Sequence, residues 1–290
     1  MNLNEWSEQL RAAGFKVVLG SRQTLWVSNE RISMVRVPEV VLHLPSKEEM
    51  RTVFRKSRAA ILSFAVEPNE GRGANCWLYQ CTDPEYSLNK LERGARSHIR
   101  RALGEFEIRF MEQSEVLRLG KQAYYDTLVR TGLSPEHREA FELEYGRPRR
   151  DTAYIGAMKG DRLAAFLRAT AVDDWVLLAG CSANEFLPLR PNNGLIYYVV
   201  HHYLVVKKFR VVDYGLSSVQ AASNAEGLHR FKLKMGFEAV PVHRAFVIHP
   251  LLRPFANRLS WRLINGILKR SPRHPLLKKA EGALRMVLHP

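Results

Sequence analysis

The sequence predicts an α/β fold of the mixed-sheet, α+β kind: two α/β units in a chain of 290 residues, then a basic helical tail. Three observations lead there. Hydrophobic residues make up 46% and charged residues 25%, which is ordinary globular usage and excludes disorder, collagen-like repeats and coiled-coil rods. The length fits two domains of roughly 100 to 200 residues each. Apolar spacing also switches repeatedly between the period of two that suits strands and the three-and-four spacing that suits helices.

The first hundred residues open with an amphipathic start (Trp6, Leu10) and continue in short β-rich runs at 15–19, 25–28 and 32–37. A helix signal follows at 46–56, where Ser46 and Glu49 have the spacing of a capping box. Strands are expected at 60–66 and 76–81, with a turn-rich stretch between them. A helix over 88–103 then repeats Leu88, Leu91, Ala95, Ile99 and Ala102 at spacings of three and four, and leaves Lys90, Arg93, Arg96, Arg100 and Arg101 on its other faces.

From Phe106 the order is plainer. A strand at 107–111 leads to helices at 116–130 and 135–145. Three alternating runs follow at 153–158, 162–171 and 175–182, joined by Lys159-Gly160-Asp161 and Asp173-Asp174, residues that hairpin turns favour. This is a three-strand meander. A helix at 194–208, a strand at 210–214, a helix at 225–235 and a strand at 237–248 complete the unit, and Trp77, Trp175 and Tyr154 fall in strand patterns that read as buried. The domains expected from this order are 1–104, 105–248 and a tail, 249–290.

Three cysteines, Cys76, Cys81 and Cys181, form no C-x-x-C pair, which argues against a disulfide scaffold or a four-thiolate zinc site. Glu5, Glu8, Arg11 and Lys16 stand where an export signal would be apolar, and no run is long and apolar enough for a membrane span. A cytoplasmic protein is expected. The formal net charge is +15, and nine Lys/Arg against Glu281 alone place +8 of it beyond residue 248. Such a balance fits a polyanionic partner or an anionic surface.

The second half resembles the GNAT acyltransferase fold, and its details are closest to the FemAB-like branch. The residues that carry the resemblance are Tyr154-Ile-Gly156 with Gly160, Ala164 and Phe166-Leu-Arg168, then Val211-Val-Asp213-Tyr214-Gly215, and above all Gly227-Leu-His229-Arg-Phe231-Lys232-x-Lys234-Met-Gly236-Phe237. It covers roughly residues 88–247. The run Arg96-x-x-Ile99-Arg100-Arg101-Ala102 resembles the helix that joins two GNAT-like halves in such proteins, so 1–104 would be a diverged first half of a tandem.

What the resemblance implies is an N-acyltransferase that forms an amide with acyl-coenzyme A, acetyl-coenzyme A first, as co-substrate and with no metal. Strands 175–182 and 210–214 would diverge to admit the donor. The helix starting at Asn192-Asn193-Gly194 would aim its free N–H groups at the donor's pyrophosphate, as helix N-termini do, and Arg190 would add charge. The family pattern wants a second small residue here, and this chain has Leu195-Ile196 instead. Asn192 to Gly194 equally reads as a helix cap after a proline turn.

Lys232 corresponds to the family's lysine that steadies the transferring carbonyl; on residue pattern alone it reads as the wet face of a helix carrying Arg230 and Lys234. Asp213 would orient the amine or take its proton through water, or would simply hold the turn before Gly215. His229 has a proton-handling reading beside a surface one. His201 and His202 are adjacent, so they point in different directions and do not make a metal pair. The acceptor is a small-molecule or cell-envelope amine.

Two alternatives stand beside acyl-coenzyme A chemistry. One is a FemX-like transferase that uses aminoacyl-tRNA, with tRNA held by Lys/Arg on phosphate. The other is a non-catalytic RNA- or membrane-binding protein with a GNAT-like core. The tail bears on the last: Phe255, Leu259, Leu263 and Ile267 recur every four residues, Trp261, Ile264 and Leu268 widen the stripe, and Arg258, Arg262, Lys269 and Arg270 stay polar. That is a basic amphipathic helix, docked on the core or lying peripherally on the inner membrane surface.

Overall fold

A computed structural model describes residues 1–29, 32–131, 140–147, 149, 152–217, 225–271 and 275–288. In chain order its elements are α1 (Leu3–Ala12), β1 (Val17–Leu19), β2 (Leu25–Asn29), β3 (Ser33–Val37), α2 (Lys47–Ser57), β4 (Ile61–Val66), β5 (Cys76–Cys81) and α3 (Arg93–Glu105). Then come β6 (Glu107–Met111), α4 (Gln113–Leu119), α5 (Lys121–Arg130), α6 (Ala140–Tyr145), β7 (Thr152–Lys159), β8 (Arg162–Val172) and β9 (Trp175–Ser182). The chain closes with α7 (Pro191–His201), β10 (Val211–Leu216), α8 (Ala225–Lys234), β11 (Glu238–Ile248), α9 (Arg258–Arg270) and α10 (Pro275–Leu288).

The chain forms two compact units that do not follow the continuous division expected from its order. One comprises Met1, Tyr79–Gly215 and Ala222–Ala239; the other comprises Asn2–Leu78, Leu216–Ala221 and Val240–Pro290. Helix α3 therefore belongs with the meander, and the tail with the N-terminal strands.

In the N-terminal unit the strand order is β1-β2-β3-β4-β11. Strands β3 and β4 pair in parallel, and β11 adds antiparallel to β4 from His243↔Val66 to Ile248↔Ile61. Trp26, Met34, Val53, Phe54, Leu62 and Phe64 fill its core. The Ser46 side chain caps α2 by accepting the Glu49 N–H at 3.0 Å. The reciprocal half of the expected capping box is diverted: the Glu49 carboxylate accepts from Trp26 Nε1 at 2.8 Å and Ser21 Oγ at 2.6 Å.

The other unit holds the mixed sheet β10-β9-β8-β7-β6. The meander forms as expected, with two-residue turns at Gly160-Asp161 and Asp173-Asp174 between antiparallel β7, β8 and β9. Gly160 and Asp173 take the positive φ that such turns need. Gly156 has to be glycine, because a Cβ there would lie 2.1 Å from the Met111 sulfur. The helix expected at 116–130 is two helices, broken at Gly120, where a Cβ would meet the Val116 carbonyl at 2.7 Å and Phe166 at 3.0 Å. Helix α3 starts five residues later than expected, after a 3₁₀ turn at Leu88–Lys90, and buries the predicted stripe Ala95, Ile99 and Ala102. The start of the helix expected at 135–145 lies outside the described residues; α6 covers its end.

Trp175 and Tyr154 are buried, as their strand patterns indicate. Trp77 is a correction: it is 43% exposed, because in β5 it points away from the face that holds Cys76 and Leu78. Among the described residues no helix is long and apolar enough to cross a membrane.

Candidate active site

The site begins where two strands part. Strands β9 and β10 pair in parallel at Val211↔Trp175, Val212↔Val176 and Asp213↔Leu177. The ladder registered between them ends there, although β9 continues to Ser182 and β10 to Leu216. Gly215 follows with φ 72, and its N–H donates 2.7 Å to Asp213 Oδ1. Asp213 is only 1% exposed. Its Oδ1 thus holds the Gly215 backbone just past the last registered pair, in keeping with the turn-forming role open to it from sequence.

Helix α8 delivers a lysine to this bend. Lys232 is 3% exposed, while its neighbours Arg230 and Lys234 face solvent. Its Nζ donates 2.8 Å to the Tyr214 carbonyl and lies 4.0 Å from the Tyr79 ring centroid and 4.7 Å from that of Tyr214. The wet-face reading of Lys232 is therefore excluded. A buried ammonium is costly unless paired; here a carbonyl and two aromatic faces offset the lost water. Burial also pushes the Tyr214 hydroxyl well above the ordinary tyrosine range.

Phe231-Lys232 is followed by the signature glycine for a packing reason. Gly236, at φ 84, ends α8, and a Cβ there would sit 2.9 Å from Tyr86 and 3.0 Å from Leu91. Tyr86 in turn donates its hydroxyl to the Met235 carbonyl at 2.8 Å. These contacts fix the helix that carries Lys232.

His229 lies one turn before Lys232, and its Nδ1 is 2.8 Å from the Tyr79 hydroxyl. Lys232 and His229 therefore meet at one ring. Tyr79 was not singled out from sequence. Its only signal is the β5 pattern, and the residues it joins are about 150 positions away.

The expected donor-binding residues sit elsewhere in this unit. Arg190 is exposed and holds a left-handed backbone, φ 64, immediately before α7, a conformation uncommon for a non-glycine residue. The Asn193 N–H donates 3.0 Å to the Arg190 carbonyl, and the buried Asn193 side chain donates to Met235 Sδ at 3.5 Å. Gly194 is a packing glycine: a Cβ would meet Ile108 at 2.8 Å and Ala102 at 2.9 Å, so it lets α7 approach α3. Burial first, then the nearby charges of Arg190, Lys234 and Arg101, hold His98 below the ordinary histidine range. Those three cations mark an electropositive neighbourhood beside the α7 start.

His201 and His202 do not form a pair. His202 stacks on Tyr198 and meets Phe110 edge-on, and His201 lies by Tyr197. Among the described residues no three His, Cys, Asp or Glu side chains converge as metal ligands do.

No family model and no curated protein matches the sequence. Solved structures do. FemX aligns with 86% of this chain and 92% of its own at a TM-score of 0.55 and 14% identity. A domain provisionally described as the C-terminal part of a lysylphosphatidylglycerol synthetase, from Agrobacterium fabrum, aligns with 83% of this chain and 86% of its own, at 0.51 and 13%. L-PGS from Bacillus licheniformis covers 84% of this chain and 87% of its own, at 0.50 and 13%. The fold is the one these three structures share, FemX among them. At these identities the likeness speaks for the fold alone. Within this FemX-like fold, Lys232, His229 and Asp213 all belong to the end of β10 and the helix after it, whereas Arg190, Asn193 and Gly194 belong to the start of α7.

Proposed function

We propose that this chain is an N-acyltransferase: it passes an activated acyl group to an amine and holds the reacting carbonyl beside Lys232. The observation that carries this reading is the buried ammonium of Lys232 at the point where β9 and β10 part. The amine nitrogen attacks the acyl carbon, the carbonyl electrons move onto oxygen, and the tetrahedral oxyanion collapses to expel the donor's leaving group. An ammonium shielded from water stabilises that oxyanion more than an exposed one would. The amine must also lose a proton, and in this reading His229, whose Nδ1 is bonded to the Tyr79 hydroxyl, receives it. Asp213 Oδ1 holds the Gly215 N–H at the strand end.

The first donor reading is an acyl-coenzyme A thioester, with thiolate as leaving group and Arg190 on the phosphates. The second is aminoacyl-tRNA, with a ribose hydroxyl as leaving group. Specific observations favour the second. The Asn193 N–H already has the Arg190 carbonyl, and Gly194 is closed in by α3, which weighs against a pyrophosphate contact at those atoms. The outer face of α3 exposes Arg93, Arg100 and Arg101, a strip suited to a phosphate backbone.

The test is a binding screen of purified protein against acetyl-coenzyme A, longer acyl-coenzyme A and charged tRNA, each at low and high salt. Thioester binding that ignores salt selects the first donor, and tRNA binding that falls steeply with salt selects the second. Binding of uncharged tRNA as tightly as charged, with no transfer to any amine, would replace the enzyme by an RNA-binding protein.

A further inference from the structure

The tail carries an apolar surface that the acyl-transfer reading does not use. Leu251, Leu252, Phe255, Leu259, Leu263 and Ile267 are six of the fifteen large apolar side chains exposed among the described residues, and they fall within one short stretch. Three of them, Leu259, Leu263 and Ile267, are spaced by four along α9 and so line one face, and Phe255 ends the 3₁₀ turn just before that helix. Phe255, Leu259 and Leu263 are 69%, 68% and 61% exposed.

The opposite face of α9 is already used. Contacts run between α9 and α10, Leu284 is buried, and Trp261 Nε1 donates to Glu281 Oε1 at 3.2 Å. The Arg285 guanidinium takes the same carboxylate oxygen at 3.3 Å. Glu281 is the only acid after residue 248. Its charge is spent between the two helices, so the outward side of α9 presents Arg258, Arg262, Lys269 and Arg270 with no acid among them.

We infer that this face of α9 lies on the surface of a bilayer rich in anionic phospholipid. The charge selects the occupant. A second copy of the chain would bring the same four cations against themselves, whereas anionic headgroups complement them. The shape agrees: a helix of 13 residues is about 20 Å long, too short to span a bilayer but suited to lying in the headgroup plane with its apolar stripe in the acyl boundary. Arg262 and Arg270 flank the stripe closely enough to reach headgroups while their stems stay apolar. The inference stands apart from the acyl-transfer reading, since none of its residues belongs to the Lys232 site.

The test is flotation of the full chain with vesicles of phosphatidylcholine alone or mixed equally with phosphatidylglycerol. The chain floats with the mixed vesicles and stays behind with phosphatidylcholine, and added salt weakens the binding. Leu259→Gln with Leu263→Gln lowers the vesicle partition at least about tenfold without moving the thermal midpoint, because both side chains are exposed in the free protein. Arg258→Glu with Arg262→Glu lowers it on the mixed vesicles. Failure of the wild type to float, or equal flotation of the Leu259/Leu263 variant, overturns the inference. So does a dimer or an acidic protein complex that depends on these leucines while vesicles are ignored. Lys232→Met floats like the wild type, which separates this result from that of any activity assay.

Discussion

The Lys232 ammonium donates 2.8 Å to the Tyr214 carbonyl, one residue past the last registered pair of β9 and β10. One side chain therefore both serves the strand end and lies where the acyl group is proposed to react. Lys232→Met removes the donor to the Tyr214 carbonyl and the ammonium's place between two aromatic faces, so it destabilises by about 1–3 kcal/mol. Lys234→Met, which removes an exposed ion pair with Glu92, changes stability by no more than about 0.5 kcal/mol. Urea unfolding of the two variants checks the contrast, and equal midpoints would mean that the Lys232 contact contributes nothing.

Gly194 separates packing from donor binding. Gly194→Ala drives a methyl into Ala102 and Ile108 and costs about 1–3 kcal/mol. Adding Ala102→Gly relieves the contact with α3 but not that with Ile108 and puts a glycine inside the helix, so it recovers only part of that loss. If Gly194 only packs, the double variant binds donor as the wild type does. Calorimetric titration of all three proteins reads this, and a donor affinity that stays low after that part of the stability returns would restore the pyrophosphate role to this backbone.

Tyr79 links His229 to the ammonium. Tyr79→Phe deletes the hydroxyl bonded to His229 Nδ1 and keeps the ring under Lys232. It costs about 0.5–1.5 kcal/mol of stability and lowers turnover. His229→Ala lowers turnover by about 100-fold or more, within the range of general acid–base catalysis. Full turnover in both Tyr79→Phe and His229→Ala would remove His229 from the reaction.

His202 gives the fold a pH signature. Burial first, then Lys207 and His201, hold its folded pKa below the ordinary 6.5, so the unfolded chain binds its proton more readily. The stability tied to neutral His202 is therefore complete above pH 6.5 and is lost as pH falls below 6.5 and through the folded value. His202→Phe, in a site lined by Tyr198 and Phe110, flattens the fall of the thermal midpoint between pH 7.5 and 5.5. A slope equal to that of the wild type would show that His202 is not its source.

The sheet of the meander was legible because each strand alternates within its own short run and the turns between carry Gly160 or Asp173, so local chemistry settles local pairing. The break at Gly120 was not, because it depends on Phe166, distant in sequence. The same contrast runs through the site. Lys232 could be found from the Phe-Lys…Gly signature, but its burial depends on Tyr79, which strand alternation alone does not connect to α8. A glycine near a helix start fits the pattern of a backbone donor, and only the approach of Ala102 reveals the packing duty of Gly194. The units likewise follow spatial pairing: β11, late in the chain, joins β4, an early strand.

The most direct test of the account is single-turnover acyl transfer by Lys232→Met at saturating donor, using whichever donor the binding screen selects. The account predicts a rate about 100- to 1,000-fold below wild type, as for a lost oxyanion donor, with donor affinity changed little. Transfer at the wild-type rate by folded Lys232→Met would contradict it, and the lysine would then be a structural support for the end of β10.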